Sequence, residues 1–324
     1  MYAARDELDE ANYVAREIEH LWQVEGVELG NIAILYRVNT LSRAPEEGLI
    51  ARGIPYEVVR GLRFYERMEV KDLLSYLRLI VNPADELSLL RAINRPRRGL
   101  GEGTVAAIKA RAQREGISLW EGVRSLAEQG SLRPSRTAHL QEFVELIEGL
   151  QLLRGELGPS ELAEEVLERT GYLRNLEGDP GAEERLGNIG ELVGQLREYE
   201  GLEEFLEGVA LLSEADGYSG EEGKVALLTL HAAKGLEFEV LFIIGLEEGL
   251  LPHARAIQDG ELEEERRLAY VGMTRAKDRL YLSYAAHRSL YGSPMQGRPS
   301  RFLAELPRAE LEGLALESGL EYGH

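Results

Sequence analysis

Short, largely apolar runs of strand length occur in two groups along the chain, and a long stretch of helical periodicity lies between them. Ile32 to Tyr36 (IAILY) belongs to the first group, while Val225 to Leu230 (VALLTL) and Val240 to Ile244 (VLFII) belong to the second. Uninterrupted apolar runs are typical of parallel strands that are buried on both faces of a sheet. The helical stretch extends from Val70 to about Gly217. The pattern therefore predicts one α/β domain with a parallel sheet, interrupted by a mainly α-helical insertion.

Other elements follow from periodicity and from helix-stop residues. In the α/β part, we expect helices at Asn12–Trp22, Pro45–Arg52 and Glu261–Met273, and strands at Tyr56–Val59 and Arg279–Tyr284. In the insertion, we expect helices at Thr104–Glu115, Ser135–Arg154, Ser160–Thr170 and Ala182–Tyr199. The glycine-rich, acidic segment Ser213–Gly223 is predicted to be a linker.

Charge narrows the class of partner. The net charge is -20, from 57 acidic and 37 basic residues, so the chain as a whole should repel nucleic acid. Affinity for phosphates depends on local groups of Lys and Arg, however, rather than on the average. One such group is present: Arg91, Arg95, Arg97, Arg98, Lys109, Arg111 and Arg114.

The chain has no cysteine, which excludes disulfides, thiolate metal sites and thiol catalysis. No apolar run is long enough for a transmembrane helix, and the acidic N-terminus does not resemble a signal peptide. These features predict a cytoplasmic protein without a membrane partner.

A set of polar residues follows the predicted strand that ends at Leu230. The set contains His231, Lys234 and Glu237, with Gly235 among them. Because open α/β sheets bind ligands at the carboxyl ends of their strands, we expect all of these residues to gather at that edge. The alternative is an ordinary turn with solvated charges.

A second segment, EEERRLAYVGMTRAK, ends with Arg275 just before the last predicted strand. A guanidinium suits phosphate because its planar fork can bind two oxygens at once. The acidic run from Glu261 to Glu265 is predicted to be a solvated helix face.

A third segment combines arginines with a glycine turn: Arg97, Arg98, Gly99, Gly101 and Thr104. We expect Thr104 to cap the helix that follows. Exposed amides at a glycine turn and a helix start can bind anions, which predicts a phosphate-binding loop. The alternative is a capped helix with solvated arginines.

Together these segments resemble the UvrD/PcrA/Rep helicases of superfamily 1A. TLHAAKGLEF, GLEEGLLPH and EEERRLAYVGMTRAKDRLYL match motifs V and VI of that family in order and spacing. LYRVNTLSR matches segment IVa, GLRFYERMEVKDLLSYLRLIVNP matches the start of the inserted domain, and PSRFLAELP matches the end of the helicase core. The resemblance covers nearly the whole chain.

The resemblance implies a RecA-like domain, called 2A in this family, that is interrupted by a helical domain, 2B. The expected boundaries are 1–65 and 221–307 for 2A, 66–220 for 2B, and 308–324 for a tail. The fold is that of P-loop NTPases, but the sequence has neither a GxxxxGK[ST] motif nor a DExx-type metal motif. ATP and Mg²⁺ are therefore expected only together with an N-terminal half, domains 1A and 1B, and the isolated chain is predicted to be inactive.

The resemblance also implies residue roles. Arg275 matches the motif VI arginine that contacts the γ-phosphate, and Gly235 and Glu237 match positions at the nucleotide, where Glu237 contacts the sugar. Residues that match the single-stranded DNA path are Arg37, Asn39, His231, Lys234 and His253. Residues that match the 2B element on duplex phosphates are Arg97, Arg98, Gly99, Gly101 and Thr104. The segment Thr170–Leu173 resembles a second 2B element.

The implied function is that of the C-terminal half of an ATP-dependent 3′–5′ DNA helicase. The implied partners are single-stranded DNA, duplex–single-strand junctions, the N-terminal half and DNA-repair proteins. The alternative is a non-catalytic 2A–2B module that binds DNA or a repair partner. A nuclease–helicase fragment is disfavoured, because no clustered Asp/Glu/Lys motif follows Tyr284.

Overall fold

The computed structural model describes residues 1–59, 61–130, 132–176, 178–179, 181–215, 223–290 and 293–307. The chain divides into two compact units. Unit 1 comprises Met1–Phe64, Leu212–Ser289 and Pro294–His324, and unit 2 comprises Tyr65–Leu211 and Leu290–Ser293. The expected tail, 308–324, and residues 216–222 of the expected linker lie outside the described residues.

The first part of unit 1 alternates strands and helices. Its elements are β1 (Tyr2–Ala4), α1 (Glu7–Gln23), β2 (Ile32–Tyr36), α2 (Arg43–Ala51) and β3 (Tyr56–Val58). Asp6 caps α1, because its carboxylate accepts the amide of Asp9 at 2.8 Å. The helix buries Val14, Ile18 and Leu21, which recur at helical spacing.

The insertion is helical throughout its described elements. These are α3 (Met68–Val81), α4 (Glu86–Ala92), α5 (Glu102–Glu115), α6 (Leu119–Gln129), α7 (Pro134–Leu153), α8 (Pro159–Thr170), α9 (Tyr172–Leu176), α10 (Ala182–Leu196) and α11 (Leu202–Ala215). The sequence patterns predicted α5, α7, α8 and α10 individually, but not α4, α6, α9 or α11. Because α11 continues to Ala215, the prediction of a linker from Ser213 is wrong for its first residues.

The chain then returns to unit 1. The remaining elements are β4 (Val225–Thr229), β5 (Phe238–Ile243), α12 (Ala254–Asp259), α13 (Leu262–Met273), β6 (Ala276–Ala285), β7 (His287–Leu290), β8 (Ser293–Gln296) and α14 (Arg301–Ala304). Strands β7 and β8 pair as a separate two-stranded sheet.

The main sheet has six strands in the order β1-β6-β5-β2-β4-β3, and each neighbouring pair is parallel. All five residues of β2 are buried, as expected for a central strand that is covered on both faces. The predicted α/β fold with a parallel sheet and a helical insertion is therefore confirmed.

Helix α13 approaches the sheet closely at Gly272. A Cβ atom at this position would lie 2.3 Å from Cδ2 of Leu230, whose side chain is completely buried. Any larger residue at position 272 would require the Leu230 side chain to shift within the core. In the described part of the chain, no helix is both long enough and apolar enough to cross a membrane.

Candidate functional site

All strands of the main sheet in unit 1 run in the same direction, so the sheet has an amino edge, where the strands begin, and a carboxyl edge, where they end. The predicted site residues of this unit lie at both. At the carboxyl edge, β2 ends at Tyr36 and β4 ends at Thr229, and these two residues are register partners. Arg37 follows β2, and His231 follows β4 after Leu230, whose amide donates to the carbonyl of Tyr36 at 2.8 Å. Arg37 and His231 therefore leave neighbouring strands at the same edge.

The segment between β4 and β5 connects the two edges. Since both strands run parallel to β2, the end of β4 and the start of β5 lie at opposite edges. The prediction that His231, Lys234 and Glu237 gather at the carboxyl edge is wrong for Glu237, which precedes β5 at the amino edge. The physical reason is that a connection between parallel strands must carry the chain back to the starting edge.

Arg275 lies at the amino edge, between α13 and β6. Its carbonyl accepts the amide of Phe238 at 2.9 Å. Its guanidinium is held by neutral groups: Nε donates to the carbonyl of Val271 at 3.0 Å, Nη1 to that of Leu236 at 3.4 Å, and Nη2 to the hydroxyl of Thr274 at 3.2 Å. No carboxylate of the described residues forms an ion pair with Arg275, so its positive charge is available to an anionic ligand.

Gly235 and Glu237 belong to the segment between β4 and β5, which reaches the amino edge. They flank Leu236, whose carbonyl accepts a hydrogen bond from Arg275. Glu237 faces Lys277 with 3.8 Å between Oε2 and Nζ, and more than half of each side chain is exposed. Gly235 has a φ of +86°, which favours glycine, and an added Cβ would have no neighbour within 4 Å. Lys234 is exposed and has no ion pair or hydrogen bond within the described ranges. The surface at Gly235 and Glu237 is therefore open to a bound molecule, and Lys234, between the two edges, is open as well.

At the carboxyl edge, Arg37 forms a bidentate ion pair with Glu265 of α13. Nη2 lies 2.7 Å from Oε1, and Nε lies 3.1 Å from each carboxylate oxygen. The Glu265 side chain is only 6% exposed, so the prediction of a solvated acidic face is wrong at this position. The exposure of the acidic run differs along its length, because Glu265 lies on the buried side of α13 together with Ala269 and Gly272.

Glu265 also joins His253 to this pair. Its Oε2 accepts the amide of His253 at 2.9 Å. Burial acts to raise the pKa of Glu265, but the hydrogen bonds from Arg37 and the His253 amide hold that pKa below its ordinary value. The pKa of His231 is lowered, first by partial burial and then by the positive charge of Arg37, which favours a neutral imidazole. Asn39 begins the short 3₁₀ helix Asn39–Ser42 beside this cluster.

The sequence motifs did not predict Glu265 as part of the site. A signal was present in the sequence, because residues 265, 269 and 272 follow the spacing of one helix face. A carboxylate on the buried face of an amphipathic helix requires a partner, and the nearest cation in the structure is Arg37.

In unit 2, the two arginines of the glycine loop differ. Arg97 is exposed and makes no ion pair or hydrogen bond in the described part of the unit. Nη1 of Arg98 instead points into the loop, toward the carbonyl oxygens of Ala92 and Arg95 at 3.1 and 3.2 Å. The guanidinium also lies 5.7 Å from the ring centroid of Tyr76. Arg98 is thus already engaged within the protein, whereas Arg97 is free to meet a ligand.

Thr104 does not cap α5, and that prediction is wrong. The helix begins at Glu102 with Gly101 as its N-cap, which places Thr104 inside the first turn. Its side chain is 1% exposed and its hydroxyl has no partner among the described residues. Gly99 has a φ of +72°, so the turn before the helix requires glycine, as the sequence predicted.

The segment that resembles the second 2B element surrounds the end of α8. Gly171 ends that helix in the left-handed conformation, with a φ of 66°. Tyr172 then turns inward and donates to the buried carboxylate of Asp72 at 2.7 Å. The exposed surface of this element is formed by its neighbours rather than by Tyr172.

Comparisons with known proteins identify relatives over most of the chain. The family model of the UvrD-like helicase C-terminal domain matches residues 1–287. The ATP-dependent DNA helicase UvrD1 of Mycobacterium tuberculosis is 43% identical, over 95% of this chain and 43% of the relative. For the ATP-dependent DNA helicase PcrA of Bacillus subtilis, the identity is 40%, over 97% of the chain and 44% of the relative. DNA helicase II of Escherichia coli is 40% identical, over 98% and 46% respectively. The chain thus spans less than half the length of these curated relatives.

Proposed function

The chain belongs to the UvrD-like helicase C-terminal family, and from that premise we propose that it is the C-terminal half of an ATP-dependent DNA helicase that translocates 3′ to 5′. In this proposal, unit 1 is domain 2A and unit 2 is domain 2B. The curated relatives are named as DNA helicases and are more than twice as long as the matched part. The N-terminal half would supply the phosphate-binding loop and the ligands of Mg²⁺.

The observation that carries the proposal is the unpaired guanidinium of Arg275 at the amino edge. A cation held by neutral groups keeps its charge for a ligand, and phosphoryl transfer develops charge on the γ-phosphate oxygens. Arg275 would supply that charge from across the cleft between the two halves. Glu237, at the same edge, would accept hydrogen bonds from the nucleotide sugar, and the open backbone at Gly235 would face the nucleotide.

The carboxyl edge would carry the single-stranded DNA. Arg37 supports this role because its Nη1 has no partner among the described residues, even though Nε and Nη2 are engaged. The other residues of the strand path would be Asn39, His231, Lys234 and His253. Contacts of this kind would be to phosphates, so they position the strand without reading its sequence.

Two parts of the chain run from one edge of the sheet to the other, and they would link the nucleotide to the single-stranded DNA. Helix α13 begins near Glu265, which contacts Arg37, and ends just before Arg275. The segment between β4 and β5 likewise begins at His231 and ends at Glu237. Closure of the cleft on ATP would move both connections as rigid pieces, and the strand contacts would move with them.

Unit 2 would bind duplex DNA at a duplex–single-strand junction through its glycine loop. The exposed Arg97, with the amides of the turn at Gly99 and Gly101, would hold backbone phosphates. Thr104 would support the loop from inside, since its side chain is buried. A role in DNA repair, with repair proteins as partners, follows from the family resemblance alone.

An ATPase assay tests the proposal. The chain would be measured with oligothymidylate, alone and mixed with a purified N-terminal half from the same protein. We expect DNA-stimulated turnover only in the mixture, because neither a P-loop nor a DExx motif is present in this sequence. DNA binding without turnover in the mixture would support the non-catalytic module instead, and turnover by the chain alone would contradict the assignment of the ATP site.

A further inference from the structure

The ion pair between Arg37 and Glu265 places a buried carboxylate beside a surface proposed for a polyanion. A negative charge near DNA phosphates weakens binding unless it performs another task there. Glu265 is 6% exposed on its side chain, and both of its oxygens are used by Arg37 and by the amide of His253. The carboxylate is therefore fixed in position rather than free to turn toward solvent.

The geometry of the pair leaves one side of the guanidinium open. Glu265 occupies the side formed by Nε and Nη2, with nitrogen–oxygen distances of 2.7 to 3.1 Å. Nη1 has no partner within the described part of the chain, and it is not among the buried unpartnered atoms. An arginine bound in this way loses the rotational freedom of its long side chain, and its remaining N–H groups keep one direction.

We propose that Glu265 is a positioning residue for the single-stranded DNA path, which holds Arg37 so that Nη1 meets a backbone phosphate. The inference rests on the proposed function, because it requires Arg37 to contact the strand. Glu265 makes no contact with DNA itself. Its effect is to fix in advance an arginine that would otherwise be ordered only on binding, at a loss of affinity.

The alternative role for Glu265 is that of a competitor. If it merely neutralised Arg37, its removal would free the guanidinium and would also delete a negative charge near the strand. Glu265→Gln would then bind single-stranded DNA more tightly. The two roles therefore predict opposite changes in affinity.

The test is a binding measurement with a fluorescein-labelled oligothymidylate at several salt concentrations. We expect Glu265→Gln to weaken binding by about tenfold, the order of a lost hydrogen bond to a charged group. The slope of log K against log salt should fall by about 0.7, the value for one phosphate contact on a single strand. The control is Glu263→Gln, which makes the same charge change on the exposed side of α13, where Arg266 keeps Glu305 as a second partner. That variant should bind normally. Unchanged or tighter binding by Glu265→Gln would overturn the proposal.

A double substitution separates this inference from the proposed function and also covers the case in which Glu265→Gln does not fold. Arg37→Ala with Glu265→Gln leaves no unpaired buried charge, and it should bind as Arg37→Ala does. Additional weakening in the double variant would show that Glu265 acts by another route and would overturn the inference alone. If Arg37→Ala binds as the unmodified chain does, the strand path itself is wrong at this position, and the inference fails with it.

Discussion

The hydroxyl of Tyr172 donates a hydrogen bond of 2.7 Å to the carboxylate of Asp72, which is 1% exposed. The same carboxylate forms an ion pair of 2.7 Å with Arg91. Asp72 on α3 thereby holds both Tyr172, at the end of α8, and Arg91, at the start of the basic loop region. The burial of Tyr172 and the negative charge of Asp72 raise the pKa of the phenol, which stays protonated at physiological pH.

Tyr172→Phe should therefore lower the stability of unit 2. The substitution leaves a buried carboxylate oxygen without its donor, which costs about 1–3 kcal/mol. Urea unfolding followed by circular dichroism would measure the change. Tyr270→Phe is the matched control, because Tyr270 is 68% exposed, and it should unfold at the same urea concentration as the unmodified chain. Equal midpoints for the two variants would contradict a structural role for the Tyr172 hydroxyl.

The two arginines of the glycine loop should behave differently when each is replaced by alanine. Arg97→Ala should weaken binding to a duplex–single-strand junction and reduce the log–log salt slope by about 0.9, because one duplex phosphate contact is lost. Its unfolding midpoint should not change, since Arg97 is exposed and makes no hydrogen bond or ion pair within the described residues. Arg114→Ala, at an exposed arginine of the same unit, is the control for general charge.

Arg98→Ala should instead destabilise unit 2. Its guanidinium donates to three loop carbonyls and lies over the rings of Tyr76 and Phe143. The loss should be about 1.5–3 kcal/mol in urea unfolding, the range for hydrogen bonds that involve a charged group. A variant with normal stability and weakened junction binding would show that Arg98 belongs to the DNA surface after all.

Strands β2, β4 and β5 were predictable because the buried part of a central parallel strand is a run of apolar residues, which is visible in the sequence without knowledge of the neighbouring strands. Helix α4 was not predictable in this way, because its seven residues make only about two turns, too few to show a helical periodicity. The start of helix α6 is marked in the sequence, because Ser118 and Glu121 form a capping box there.

The candidate site residues could be located from sequence motifs, but their contacts could not. Arg98 and Arg97 are neighbours of the same type, and only the packing around Tyr76 decides which one turns inward. The inward position of Glu265 depends on which face of α13 packs against the sheet, and that face includes Ala269 and Gly272. The separation of Glu237 from His231 depends on the strand order, and no local pattern encodes that order.

Gly272→Ala should destabilise unit 1, because the new Cβ would approach Leu230 to 2.3 Å in a packed core. Overpacking of this kind costs about 1–3 kcal/mol. Gly149→Ala, in the middle of α7, is the control, since its Cβ would meet only the end of Arg169 at 3.5 Å. A helical glycine with room for a methyl group should give a small gain in stability. The double variant Leu230→Ala with Gly272→Ala should lose less stability than the sum of the losses in the two single variants. Additive losses would argue against a clash between the new Cβ and Leu230.

His231 should titrate below its ordinary pKa of 6.5, as followed by NMR of its ring protons. A lowered pKa means that the folded chain binds fewer protons than the unfolded chain, so this histidine contributes full stability above pH 6.5 and less as the pH falls. Arg37→Ala should raise the pKa of His231, because the nearby positive charge is removed. A downward shift of the His231 pKa in Arg37→Ala would mean that the charge of Arg37 does not lower that pKa.

Under the proposed function, Arg275→Ala should reduce ATP turnover by the mixture of the two halves by about 10³- to 10⁵-fold, the range for arginines that act on a transferring phosphoryl group. The ATP concentration at half-maximal rate should change much less, because the N-terminal half would hold most of the nucleotide. The variant should still fold, with a modest loss of stability, because the Arg275 guanidinium donates to two carbonyls and a hydroxyl but pairs with no carboxylate among the described residues. Arg275→Lys should be nearly as impaired, because an ammonium lacks the fork that meets two phosphate oxygens. Arg267→Ala provides the comparison on the same helix: its side chain is 76% exposed and pairs at the surface with Glu264. If both alanine variants turn over at near-normal rates, Arg275 does not act on the γ-phosphate, and the unpaired charge at the amino edge requires another ligand.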